Sequence, residues 1–146
     1  MITEEFITKN ILRNLIESGW NVVCFDFPQS GTGICLHPND SIDKTIGIWI
    51  PDVVAVRDGV CKIYENKSYL SASDINKIKK IKNSNNYSLA LEKILLNHKV
   101  KVVKYGIGLP MKFENSILAE IDYLDFVCFV DDGGEIKEIQ SNSTSS

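Results

Sequence analysis

The apolar positions along this chain change period several times, and each change marks an element. Phe6, Ile7, Ile11, Leu12, Leu15 and Ile16 recur at helical spacing behind Thr3, a capping residue, and Gly19 ends the helix. Trp20 to Phe27 then reads as a strand. The stretch PQSGTGICLHPNDSIDK is rich in Gly, Pro, Ser and Asp, which predicts a long loop or irregular ribbon. TIGIWIPDVVAV predicts a bent strand in which Pro51 marks an edge or a bulge. Val60–Lys67 returns alongside it.

Helical spacing then resumes. SASDINKIKKIKNSN opens on a serine cap and turns Ile75, Ile78 and Ile81 inward, with Asn76, Lys77, Lys79 and Lys80 in a polar sector. Tyr87 to Asn97 is a second helical stretch holding Leu89, Leu91, Ile94 and Leu95. VKVVKYGIGL is a strand that Pro110 stops. A helix around residues 116–123 and a hairpin in DFVCFVDDGGEIKEI complete the ordered part. SNSTSS, at 141–146, has no means of burying itself and is expected as a disordered tail. Helix, three strands, helices, strand: this order predicts one α/β domain over residues 1–140. Its mixed central sheet is flanked by helices, with a C-terminal helix and hairpin as an extension.

The hairpin between the second and third strands has a readable register. Arg57-Asp58-Gly59-Val60 places Asp-Gly at the turn, the strongest short-range hairpin signal. Arg57 then pairs with Val60, Val56 faces Cys61, Val54 faces Ile63, and Asp52 faces Glu65. Because side chains alternate along a strand, Asp52, Val54, Val56, Cys61, Ile63, Glu65 and Lys67 share one face. That face is apolar near the turn and ends in two opposed acids. Like charges opposed on a sheet are destabilising, and partial burial makes them worse. A divalent cation is the natural compensation.

Composition sets few further limits. A chain of 146 residues, 44% hydrophobic and 24% charged, is expected as an ordinary soluble domain. No apolar run approaches the ~18 residues of a membrane span. Glu4 and Glu5 stand where a signal peptide carries positive charge, so the expected setting is cytoplasmic. Cys24, Cys35, Cys61 and Cys128 form no C-x-x-C pair and are read as reduced and buried. Charge is sharply segregated: residues 1–56 balance at −4, 57–104 at +7 and 105–146 at −6. A polyanion would meet the middle segment, where Lys77, Lys79, Lys80 and Lys82 are the candidate nucleic-acid contacts. A lysine-rich helix that is merely well solvated is the plainer alternative.

Phosphodiester hydrolysis needs a nucleophilic water, charge stabilisation on the phosphate and help for the leaving oxygen. Magnesium meets much of this while bound by a few carboxylates, waters and substrate oxygens. Asp52 and Glu65 are the candidate carboxylate ligands, with the backbone carbonyl of Asn66 as a third oxygen. Lys67 lies on the same face, placed to orient water or balance phosphate charge. Pro51-Asp52, twelve residues, then Glu65-Asn66-Lys67 resembles the PD-(D/E)-x-K nuclease superfamily of restriction endonucleases and Holliday-junction resolvases. The resemblance covers roughly residues 3–108 and implies a core of helix, three-stranded meander, helix and strand. It implies Asp52, Glu65 and Lys67 as catalytic residues, magnesium as cofactor (with manganese able to substitute), and DNA as substrate. It also suggests an accessory acid on the first helix, for which Glu4 is the candidate and Glu5 the alternative. Acids favouring a helix N-terminus would explain both equally well. The glutamine that many relatives carry on the helix after the E-x-K strand is absent here, where only Asn76 stands.

The expected function is therefore a divalent-metal-dependent DNA endonuclease of restriction type, acting as a homodimer or with a partner nuclease subunit to cut both strands. The loop from Gln29 to Lys44 and the C-terminal hairpin are places for base-reading groups. A junction resolvase and a non-catalytic DNA-binding subunit of nuclease fold are the alternatives.

Overall fold

Three layers build the molecule, with a six-stranded mixed sheet between helices, its strands lying side by side in chain order. The computed structural model describes residues 2–27, 30–39 and 47–141. Helix α1 (Glu4–Glu17) covers one face alone. Its cap is Thr3, whose hydroxyl accepts the amide of Phe6 at 3.0 Å. Ile7, Ile11 and Leu15 are buried against Val53, Ala55, Tyr64 and Phe126, each burial stabilising by about 1.5–3 kcal/mol.

Strands β1 (Asn21–Phe25), β2 (Val53–Arg57) and β3 (Val60–Asn66) form an antiparallel meander. The β2–β3 register is the one that the Asp-Gly turn dictates: Arg57 opposes Val60, Val56 opposes Cys61 and Val54 opposes Ile63. Both turn residues are left-handed, Asp58 at φ 50° and Gly59 at φ 82°, as a two-residue hairpin of this type requires. Helices α2 (Ala72–Ser84) and α3 (Ser88–Ile94) then cross the second face and return the chain as β4 (Val102–Pro110), parallel to β3. A helical string follows, 3-10 over Met111–Phe113, α4 over Glu114–Ile117 and 3-10 again over Leu118–Tyr123. β5 (Phe126–Val130) lies parallel to β4, and β6 (Ile136–Gln140) antiparallel to β5 at the edge. The C-terminal hairpin thus continues the same sheet.

Glycines in β4 let the two layers close. An added Cβ at Gly106 would stand 2.3 Å from the Phe126 ring, and one at Gly108 would stand 2.2 Å from Asn66 Oδ1. Their neighbours Ile107 and Leu109 face the opposite core with Ile75, Ile78 and Ile81 of α2. On the α1 side, Lys62 is buried, pairs with Glu138 at 2.5 Å and lies over the rings of Trp20, Tyr64 and Phe126. Burial is made tolerable there by an opposed carboxylate and aromatic faces.

Several expectations need correction. The bent strand expected over 45–56 is not continuous among its described residues, 47–56: regular pairing begins only at Val53, and Trp49 makes an isolated bridge to Leu36, while residues 45 and 46 lie outside the described residues. The expected strand over Trp20–Phe27 is confined to Asn21–Phe25, and the helix over Tyr87–Asn97 to Ser88–Ile94. The helical string starts at Met111, not near residue 116. Cys35 is exposed, whereas Cys24, Cys61 and Cys128 are buried, and all four are free. Burial pushes the thiol of Cys24 up to about 11 and that of Cys61 up to about 12, so both stay protonated and inert. Ser141, expected in the tail, is buried and donates its amide to the Asp125 carbonyl at 3.0 Å. Residues 142–146 lie outside the described residues, as do Gln29 and 40–44 of the expected base-reading loop. No helix among the described residues is long and apolar enough to cross a membrane.

Candidate active site

The two acids meet where β2 begins and β3 ends. One step before the first regular pair, Asp52 donates its amide to the Tyr64 carbonyl at 3.1 Å, so Asp52 and Val53 both face Tyr64 and the regular register of the hairpin ends at Val53–Tyr64, short of the expected Asp52–Glu65 pair. Its carboxylate turns back across the hairpin and accepts the Asn66 amide on Oδ2 at 2.6 Å. Glu65 is 4% exposed, continuing the face of Ile63 and Cys61 beneath α2. Burial comes first in raising the Asp52 carboxyl, which is pushed up to about 8. The charge of Glu65 adds to the rise, the Asn66 amide opposes it, and the charge of Glu4 contributes a smaller rise. Two carboxylates crowd here without enough water to solvate both.

Glu65 is held from the far side by two donors on the same oxygen. Lys77 of α2 donates from Nζ to Oε2 at 2.9 Å, and the Trp49 indole donates at 3.4 Å. Lys67 does not touch Glu65. Its ammonium lies 3.7 Å from Asp74 in the first turn of α2. Burial works against that charge, but the carboxylates of Glu65, Asp74, Glu4 and Asp52 outweigh it and hold Lys67 above its ordinary range. Lys67 therefore stays an ammonium throughout the neutral range.

Asn66 contributes differently from a carboxylate. Its side chain points to the opposite face, where Nδ2 donates to Thr8 Oγ1 of α1 at 3.0 Å, and it is fully buried. Only its backbone can serve the site, and the amide is already committed to Asp52. Glu4 is half-buried at the start of α1, near enough for its charge to act on both Asp52 and Lys67. The neighbouring Glu5 pairs outward with Lys9 at 3.5 Å.

The four lysines expected to face nucleic acid do not share one open surface. At about 100° per residue, Asn76 and Lys80 point away from the sheet, while Lys77 and Lys79 flank the apolar stripe on opposite sides. Lys77 turns to Glu65, and Lys79 lies 3.9 Å over the Tyr123 ring. Lys82 falls within the inward arc and pairs with the buried Asp125 at 2.9 Å. Lys80 is exposed. The reading from sequence missed Lys77, Asp74 and Trp49 as members of the acidic site. The only available signal was that Asp74 and Lys77, one turn apart, are opposite charges beside an inward stripe.

Two carboxylates, a backbone carbonyl and nearby acid are hard oxygen donors, the kind magnesium and manganese take. Among the described residues no group of three or more His, Cys, Asp or Glu side chains closes around one point, so an ion here would keep several waters. The raised carboxyl of Asp52 and the ammonium seated on Glu65 both mark a place where positive charge is wanted.

No family model matches the sequence, and no curated protein does. Among solved structures, the chain is similar to an XisH family protein from Nostoc punctiforme, with a TM-score of 0.45 and 15% sequence identity over 94% of this chain and 99% of that one. It is also similar to a fdxN element excision controlling factor protein from Anabaena variabilis, with a TM-score of 0.44 and 18% identity over 91% of this chain and 96% of that one.

Proposed function

We propose that this chain is a divalent-metal-dependent DNA endonuclease of restriction type that uses magnesium, with manganese able to substitute. The observation that carries the reading is the crowding of the Asp52 and Glu65 carboxyls at the end of an apolar hairpin face, where burial and the charge of Glu65 push the Asp52 carboxyl up to about 8. An acid pair this poorly solvated is costly to keep unless something positive uses it.

A bound magnesium ion supplies a polarised phosphate and a water of lowered pKa. Asp52 and Glu65 hold the ion, with the Asn66 carbonyl as a further oxygen. The Lys67 ammonium orients the attacking water and balances charge on the phosphate, a task for a compact, permanently protonated donor. Glu4 adds to the negative field that draws the cation in. Lys80, on the outer side of α2, meets the DNA backbone. One such domain carries one active site, so cutting both strands calls for a homodimer or a partner nuclease subunit.

The test is incubation of purified protein with supercoiled plasmid in magnesium or manganese, beside the same reaction in chelator. Nicked or linear product only with the metal supports the reading. Intact plasmid with both metals, from protein shown to bind DNA, would replace it with a non-catalytic DNA-binding role.

A further inference from the structure

The lysine that touches the acid pair is not the one that the E-x-K spacing provides. Lys77 reaches Glu65 from α2, and the contact is built by the fold. Position 77 flanks the buried stripe of Ile75, Ile78 and Ile81, so its stem runs along the helix toward the sheet. Asp74, one turn earlier, holds Lys67. The helix therefore presents an acid to the site's lysine and a lysine to the site's acid. The two partners of this second contact differ sharply in burial: the Lys77 side chain is 50% exposed and that of Glu65 is 5% exposed. A half-exposed ammonium leaves at modest cost, whereas the buried carboxylate cannot stand unpaired.

We propose that Lys77 is the resident counter-ion of the metal-free site: its ammonium holds the Glu65 oxygen that a divalent cation takes, and the arriving cation displaces it. This rests on the metal-binding reading above. The ammonium and the cation compete for the same lone pairs on Oε2, where the Trp49 indole is already a second donor. Once displaced, Lys77 faces a groove of about 620 Å³ between α2 and the 47–49 segment, lined also by Ser73, Asn76, Lys80 and Tyr87. Beside the apolar walls of Ile48 and Ile81, the two lysines, Ser73 and Asn76 are donors suited to a phosphate oxygen next to the site. Cation binding would thus free a positive charge for DNA, coupling the two ligands through one side chain.

Calorimetric manganese titration without DNA tests this on wild type, Lys77→Met, Lys77→Arg and Lys80→Met. Lys77→Met is expected to bind manganese at least ~10-fold more tightly, the scale of one charge-assisted hydrogen bond. Lys77→Arg keeps the charge and should stay near wild type. Lys80→Met removes a charge one turn away and should change affinity far less than Lys77→Met. Duplex DNA binding with and without calcium is the second readout: calcium should strengthen it in wild type and less in Lys77→Met. Equal manganese affinity of wild type and Lys77→Met overturns the displacement while leaving the metal site intact, since the ion then sits on the other carboxylate oxygens. No manganese binding by any of the proteins overturns the metal-binding reading itself, and the displacement with it.

Discussion

The backbone amide of Asn66 donates to Oδ2 of Asp52 across the β2–β3 hairpin at 2.6 Å. The acid is therefore positioned by the strand that carries its partner, and the pair Asp52–Glu65 moves as one unit with the hairpin. An amide donor favours the ionised carboxylate, yet burial and the charge of Glu65 win, and the Asp52 carboxyl remains raised.

Isosteric removal of either acid should separate chemistry from folding. Asp52→Asn and Glu65→Gln are each expected to abolish metal-dependent cleavage and calorimetric manganese binding. Asp52→Asn should also hold or raise the metal-free melting temperature, because it removes a carboxyl that the folded chain must keep protonated beside Glu65 at neutral pH. Wild-type cleavage by either purified variant would move the active site elsewhere.

Lys67 is expected to act on the reaction, not on the ion. Lys67→Ala should lose at least ~100-fold in single-turnover cleavage, the scale of one preorganised charge in such a site. It should still bind manganese, because an ammonium is not a ligand at neutral pH. Near wild-type turnover would make the E-x-K spacing incidental and leave Lys67 as the partner of Asp74.

The raised carboxyl of Asp52 gives the metal-free protein a definite pH dependence. Below about pH 4 the group is protonated in both folded and unfolded chains, so its stabilising contribution is fully present. Above that the unfolded chain ionises first, and stability is lost as pH rises toward the folded value of about 8. The slope attributable to this group is at most about 1.4 kcal/mol per pH unit. Denaturant melts from pH 4 to 8 should show that decline in wild type and a flatter profile in Asp52→Asn. Saturating manganese should also flatten it, because the cation then replaces the proton.

Gly108 supports the site from the next strand. Gly108→Ala would set a methyl 2.2 Å from Asn66 Oδ1 and 2.9 Å from Ile11 Cδ1, between the site strand and α1. Its cost should be about 2–3 kcal/mol in urea melts, as overpacking between a strand and a helix requires. Gly133→Ala, whose nearest neighbour would be 3.5 Å away, is the control and should change stability little.

What the sequence made legible here was local. The Asp-Gly turn and strict alternation specify the register from Val53–Tyr64 to the turn, since a one-residue slip would turn every apolar side chain outward, whereas the step at Asp52 was not readable. The cap at Thr3 and the inward stripe on α2 were readable for the same reason. The destinations of the α2 lysines were not, because they depend on how the helix is rotated over the sheet. Lys77 and Lys80 look alike in sequence, yet one seats on a buried acid and the other faces solvent. Trp49 is 2% exposed, but its indole donor had no readable target until the 47–52 segment was placed.

The hollow that Gly106 leaves in β4 has a further meaning for the chain as an object. All the candidate metal-site groups and Lys67 lie within the first 67 residues, while Lys77 and the supporting Gly108 follow within the next 41. Yet the ring that fills the hollow belongs to Phe126, edge-on to Tyr64 at 4.8 Å between centroids, and Glu138 beyond it neutralises the buried Lys62. A chain shortened to the helix–meander–helix–strand portion would expose Tyr64 and strand Lys62 without its carboxylate. The last hairpin is thus a fold-completing wedge, inseparable from the part that carries the chemistry.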